Sequence, residues 1–152
     1  MIDGHNQPKR VDLTTELVET LAGVLASDVN VQFAYLFGSV AKGRTRANSD
    51  VDVAVHLSGG ETPSERLDQG LDLEGRLEEV TARPVQIAVL NDAPLELRFN
   101  VLHHGIPLHT RDPAARSRFY VETGRRYYDM AQARELFRRR QLERIREGTF
   151  GG

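Results

Sequence analysis

The sequence predicts an α/β (α+β) protein, a small mixed sheet of three or four strands flanked by helices, followed by a C-terminal helical extension. Two observations carry this. Short runs of β-branched and aromatic residues alternate with segments of helical period, and the helical segments open on recognisable caps. The division expected is a core over residues 1–110 and an extension over 111–152, compact together.

Residues 1–10 read as a polar, flexible lead. Asp12 can cap a helix over about 13–26, with Leu13, Leu17, Leu21, Val24 and Leu25 as its apolar stripe. Asp28-Val29-Asn30 reads as a turn. Val31–Phe37 is a buried strand ending at Gly38, and a loop rich in Gly, Ser and basic residues follows. Val51–Leu57 is a second strand, closed by Ser58-Gly59-Gly60. Thr62-Pro63-Ser64-Glu65 starts a helix to about Thr81, with a cap, a proline at the first position and a capping-box glutamate. Leu67, Leu71, Leu77 and Val80 are expected inward. Pro84–Leu90 is the third strand, Asn91–Pro94 starts another helix, Gly105 ends it, and Pro107–His109 is a short extra strand. Asp112-Pro113 opens a long helical region to about Arg146. Tyr120, Tyr127, Ala131, Leu142 and Ile145 lie near one face of it, widened by Met130 and Phe137. Gly124 is a candidate break. Residues 149–152 read as a frayed end bearing Phe150.

The 152 residues carry a formal net charge of −2, and that total hides a split. Residues 111–147 hold eleven Arg and six acids, net +5, whereas the other 115 residues carry −7. The basic tail suits an acidic protein partner, the chain's own body or nucleic acid. The chain as a whole has few aromatics and its body is acidic, so partner docking or body packing is favoured and nucleic acid is not expected as a direct ligand. With no Cys, a disulfide framework, a thiolate zinc site and a thiol nucleophile are excluded. No apolar run approaches a bilayer span and no signal-peptide pattern opens the chain, so a cytoplasmic protein is expected, without membrane contact.

The chemistry concentrates between Gly38 and Asp52. Gly38 and Ser39 follow a strand directly, where glycine admits an anion close to the backbone and the serine hydroxyl adds a donor. Lys42, Arg44 and Arg46 bring positive charge to the same loop. Asp50 and Asp52, two apart on a strand, project to one face, where like charges repel unless a cation lies between them. Hard divalent cations are held by one or two carboxylates together with substrate phosphates. Phosphate donors beside paired carboxylates therefore suggest a metal–nucleotide site for phosphoryl or nucleotidyl transfer.

Gly38-Ser39, ten residues, then Asp50-Val51-Asp52 resembles the signature of the DNA polymerase β-like nucleotidyltransferase superfamily. The flanking Phe37–Gly43 and Ser49–Val55 resemble its minimal nucleotidyltransferase (MNT) branch, as do Val89–Pro94, His104–Leu108, Arg118–Tyr120, Tyr127–Asp129 and Gly148–Gly151. The likeness spans about residues 12–151. It implies the nucleotidyltransferase fold. It also implies a triphosphate held by Gly38 and Ser39, with Lys42 and Ser49 in the nucleotide site. Asp50 and Asp52 would be the catalytic, metal-ligating pair for one or two Mg²⁺, with ATP as donor. The first helix turn after the strand would aim N–H groups at phosphate. Small members of this branch are antitoxins paired with an HEPN-domain ribonuclease toxin, and resemble enzymes that transfer AMP to a toxin tyrosine. A hetero-oligomer with such a toxin is the implied partner state.

One position departs from the family pattern. The third acid, expected on the next strand, is replaced by Gln86, which is neutral and cannot accept a proton from the attacking group. Loss of such a base costs roughly 10²- to 10⁴-fold in rate. Three readings follow: an adenylylating antitoxin, a catalytically weakened one that neutralises its toxin by contact, and a nucleotidyltransferase acting on a small molecule or RNA. His103, His104 and His109 read as a helix end and a strand rather than metal ligands. His56 reads as a satisfied strand histidine, and Tyr127 and Tyr128 as packing residues.

Overall fold

The structure, a computed structural model, describes residues 7–43 and 50–148, with side chains from residue 15 onward. Five helices, α1 (Gln7–Ala26), α2 (Gly38–Ala41), α3 (Pro63–Thr81), α4 (Leu95–His104) and α5 (Pro113–Arg146), surround four strands. The strands are β1 (Val31–Phe37), β2 (Val51–Leu57), β3 (Val85–Val89) and β4 (Ile106–Thr110), ordered β3-β2-β1-β4 in one sheet. Among the described residues only β2 and β3 run parallel, joined through α3 as a strand–helix–strand unit. The mixed architecture expected from the sequence is what forms.

Both faces of the sheet are covered. On one face Val51, Val53, Val55 and Leu57 of β2 meet Leu17, Leu21 and Leu25 of α1 and Leu73 and Leu77 of α3. On the other, Phe33, Tyr35 and Ala54 meet Val101 and Leu102 of α4 and Ala115 of α5, with Phe119 packed against them. The pairing of β1 with β2 is irregular between Val31 and Phe33. That irregularity resets the alternation, so Val31 and Ala34 share one core while Phe33 and Tyr35 enter the other. Even-numbered residues of β2 and β3 therefore belong to the α4/α5 side, which decides where Asp52 and Gln86 lie.

Several local expectations are corrected. Helix α1 starts at Gln7, so Asp12 lies within it rather than capping it; Pro8, having no N–H to satisfy, fits a first turn. In α3 the inward positions are Gly70, Leu73 and Leu77, whereas Leu67, Leu71 and Val80 are exposed. The Cβ-free surface of Gly70 lies against Val89 and Ile87, which rotates the buried stripe away from the two leucines. Residues after Phe37 form the one-turn α2 instead of a loop. Strand β3 is shorter than expected, because Leu90–Asp92 closes into a 3₁₀ turn, and α4 begins only after Pro94. Gly124 does not interrupt α5. Thr123 beside it is buried and Tyr127 stacks on Phe99 at 3.8 Å, and such packing offsets the ~1 kcal/mol that a helical glycine costs. The frayed end at Phe150 lies outside the described residues.

The two strongest caps form as expected. Thr62 accepts from the Glu65 amide at 3.2 Å and Asp112 accepts from the Ala115 amide at 3.0 Å. The Thr62 hydroxyl in turn donates to the Glu65 carboxylate at 3.0 Å. No helix among the described residues is long and apolar enough to cross a membrane.

His56 lies between Phe33, stacked at 4.8 Å, and Phe119, edge-on at 4.9 Å, with Nδ1 2.6 Å from Gln32 Oε1. Gln32 Oε1 can only accept, so the neutral ring donates from Nδ1. Burial, reinforced by Arg98 and Arg66, pushes its pKa down to about 4. The unfolded chain protonates this ring near pH 6.5 while the folded one does not. Stability should therefore fall as pH drops from about 6.5 and level off below about 4, by at most about 3 kcal/mol. Urea unfolding at pH 7 and pH 4.5, compared with His56→Gln, checks this: the variant should lose part of the pH dependence.

Candidate active site

Asp52 sits near the start of β2, level with Phe37 of β1 on one side and Gln86 of β3 on the other. Partnered residues on adjacent strands present side chains to the same face, so Asp52 and Gln86 are neighbours on the α4/α5 side of the sheet. Asp50 lies exposed immediately before the strand. Its charge is felt at Asp52, whose carboxyl is pushed above the usual range first by burial and then by Asp50. A bound cation would relieve both causes.

Gly38 terminates β1 and opens α2. Its φ is +78°, in the left-handed region, and a Cβ there would run into the Asp52 carboxylate. The glycine is thus required twice, by conformation and by the approach of the acid. Gly38→Ala should destabilise the fold by about 2 kcal/mol or more, read as a shift of the urea midpoint. Asp52→Ala in the same chain should recover the steric part and leave the conformational part, so the two changes will be non-additive.

No side chain caps α2, so the first N–H groups of that turn have no partner from a cap. Ser39 and Lys42 are exposed there. A cleft of about 680 Å³ opens beside it, lined by Gly38, Ala41 and Lys42 on one side and by Leu97, Asn100 and His104 of α4 on the other. Gly105 lies at the end of α4. A Cβ at that position would stand 3.1 Å from the Leu36 carbonyl, so the glycine lets α4 close against β1.

The structure thus brings Gly38, Asp52 and Gln86 together, with Asp50 alongside. Gly38 and Lys42 line the cleft, whereas Ser39, Asp50, Asp52 and Gln86 do not. Ser49, with Arg44 and Arg46, lies outside the described residues. Sequence reasoning missed the α4 wall; the signal was there in Asn100 and His104, polar residues four apart on a helix that is otherwise half apolar. His103, His104 and His109 fall at a helix end and on β4 as expected, and among the described residues no cluster of three metal-binding side chains occurs. Two carboxylates with an amide beside them fit a Mg²⁺ ion that takes its remaining ligands from water and phosphate.

A mixed sheet with a glycine turn against a strand aspartate, beside a nucleotide-sized cleft, defines a nucleotidyltransferase fold. The chain belongs to the polymerase beta nucleotidyltransferase family, whose model matches residues 19–114. No curated protein sequence matches it significantly. Among solved structures, a toxin–antitoxin with AMP-PNP is similar at TM-score 0.65 and 22% identity, covering 82% of this chain and 98% of that one. Tri-AMPylated Shewanella oneidensis HEPN toxin in complex with MNT antitoxin matches at TM-score 0.61 and 19% identity, covering 85% and 98%. A minimal nucleotidyltransferase structure matches at 31% identity and TM-score 0.51, covering 64% of this chain and 94% of that one.

Proposed function

We propose that this chain is an MNT-type antitoxin that binds an HEPN-domain toxin and transfers AMP from ATP to a toxin tyrosine. The observation that carries the proposal is the contact of Gly38 with Asp52 at the edge of the α2–α4 cleft. It sets the α2 turn, read here as the phosphate site, against a carboxylate on the side of the sheet where the cleft opens. Gly38, Ser39, Lys42 and Ser49 would hold the triphosphate, and Asp50 and Asp52 would hold Mg²⁺. The ion would supply charge neutralisation on the triphosphate. The tyrosine hydroxyl attacks the α-phosphorus, the bond to the bridging oxygen breaks, and pyrophosphate leaves. The hydroxyl proton passes to water or to a nearby base.

Gln86 favours a second reading. A neutral amide stands where Asp52's neighbour would accept that proton, and in this reading the chain neutralises its toxin by contact, with slow or no transfer. Incubation with α-labelled ATP, Mg²⁺ and the toxin separates the two. Label on the toxin supports transfer. No label, with an intact complex, rejects it. Under the contact reading Asp50→Ala/Asp52→Ala still protects cells from the toxin; under the transfer reading protection is lost. Transfer to a small molecule or to RNA is the remaining alternative, read by label on those acceptors.

A further inference from the structure

Helix α5 outruns the body it packs on. Its first two-thirds lies along α4 in antiparallel fashion: Tyr120 meets His103, Tyr127 stacks on Phe99, and Arg134 pairs with Glu96 at 2.9 Å. Helix α4 begins at Leu95, one residue before that last contact. The twelve residues after Arg134, to Arg146, therefore project about 18 Å further, at 1.5 Å per residue. No described residue of that stretch is buried, yet it carries Leu136, Phe137, Leu142 and Ile145, each 45–64% exposed.

Residues 135–147 hold five arginines and three glutamates. Pairs within the helix, Glu135 with Arg138 at 2.8 Å and with Arg139 at 3.4 Å, help keep the overhang helical without a partner. At 3.6 residues per turn Phe137, Leu142 and Ile145 fall within about 140° of the helix circumference, with Leu136 on the other side, and these three form an apolar stripe that a phosphate backbone would leave uncovered, which argues for protein over RNA. Two overhangs pairing with each other would oppose arginine to arginine. The acidic helix α3 of a second copy offers only Leu67 and Leu71 as adjacent exposed apolar residues on one face.

We infer that the α5 overhang is the docking element for the toxin, received by an apolar groove rimmed with acidic side chains. The inference rests on the proposed function and adds the surface that reading lacks. Position bears on it: α5 packs through Ala115 and Phe119 on the same side of the sheet as Asp52, Gln86 and the cleft, and its overhang continues on that side past the Leu95 end of α4. Helix α3 covers the opposite side.

The test is calorimetric titration of the full chain with the HEPN-domain toxin that the proposed function assigns to it. Phe137→Asp/Ile145→Asp should weaken binding about 100-fold or more, as loss of central apolar anchors does. Arg140→Glu/Arg146→Glu should weaken it about tenfold and flatten its salt dependence. Leu67→Asp/Leu71→Asp on α3 should bind like the wild type. Circular dichroism and urea midpoints must match the wild type for all three. Equal binding by wild type and overhang variants overturns the docking inference and leaves the functional reading standing. So does loss of binding in the α3 variant alone, or an overhang that proves necessary for binding RNA but not the toxin. A wild-type chain that binds no HEPN protein overturns both.

Discussion

Asp52→Asn is expected to abolish AMP transfer, by about 10³-fold or more, while the fold stays at least as stable as the wild type. The rate follows from the several kcal/mol that charge stabilisation at a metal–phosphate site supplies. The stability follows from the sign of the Asp52 shift. Burial and the Asp50 charge raise its pKa, so the ionised form is disfavoured in the folded chain relative to the unfolded one. Above its pKa the residue therefore weakens the fold, and this penalty disappears as pH falls and the carboxyl protonates. Asparagine keeps the shape beside Gly38 and removes the charge. The unfolding temperature of the metal-free variant at pH 7 should equal or exceed that of the wild type. With Mg²⁺ and ATP the order should reverse, because only the wild type gains the stabilisation of ligand binding. Thermal unfolding with and without Mg²⁺–ATP, beside a label-transfer assay, measures both halves. A variant that loses transfer only because it unfolds would show a lowered midpoint without ligand.

That pairing of low stability with function explains why this part of the site was legible in the sequence. A glycine and two acids have few reasons to flank an otherwise apolar strand. The strands were legible for a similar reason: Val31–Phe37 and Val51–Leu57 are β-branched or aromatic runs with sharp ends. The α4 wall was not legible. Asn100 and His104 become part of a cleft only because α4 packs back across β1, a contact between segments about sixty residues apart. The misread face of α3 has a comparable cause. Periodicity marks Leu67 and Leu71 as readily as Leu73 and Leu77, and only the fit of Gly70 against β3 selects between them. The long helix was visible, but where its packing stops was not, since that depends on where α4 begins.

Gln86→Asp carries the second large effect, and its direction decides between the two functional readings. Gln86 is level with Asp52 on the adjacent parallel strand, exposed, and on the same side of the sheet. A carboxylate there would be the third negative charge in a small area. Without a cation the variant should be less stable than the wild type at pH 7, and the difference should shrink as pH falls and the acids protonate. With Mg²⁺ the extra carboxylate gains a partner, and the loss should be recovered. For catalysis, the new group can accept the proton of the attacking hydroxyl, a contribution of roughly 10²- to 10⁴-fold where such a base is absent. If the native chain is a contact antitoxin with residual chemistry, transfer to the toxin should rise by that factor while binding to the toxin stays the same. If the native chain already transfers AMP efficiently, the amide is not limiting and the proton leaves by another route, so the rate should change little. Gln86→Glu serves as the length control: a gain in both variants assigns the effect to charge, and a gain in Asp alone assigns it to reach. Single-turnover label transfer at saturating toxin isolates the chemical step from docking, so the comparison reads the base and not the interface.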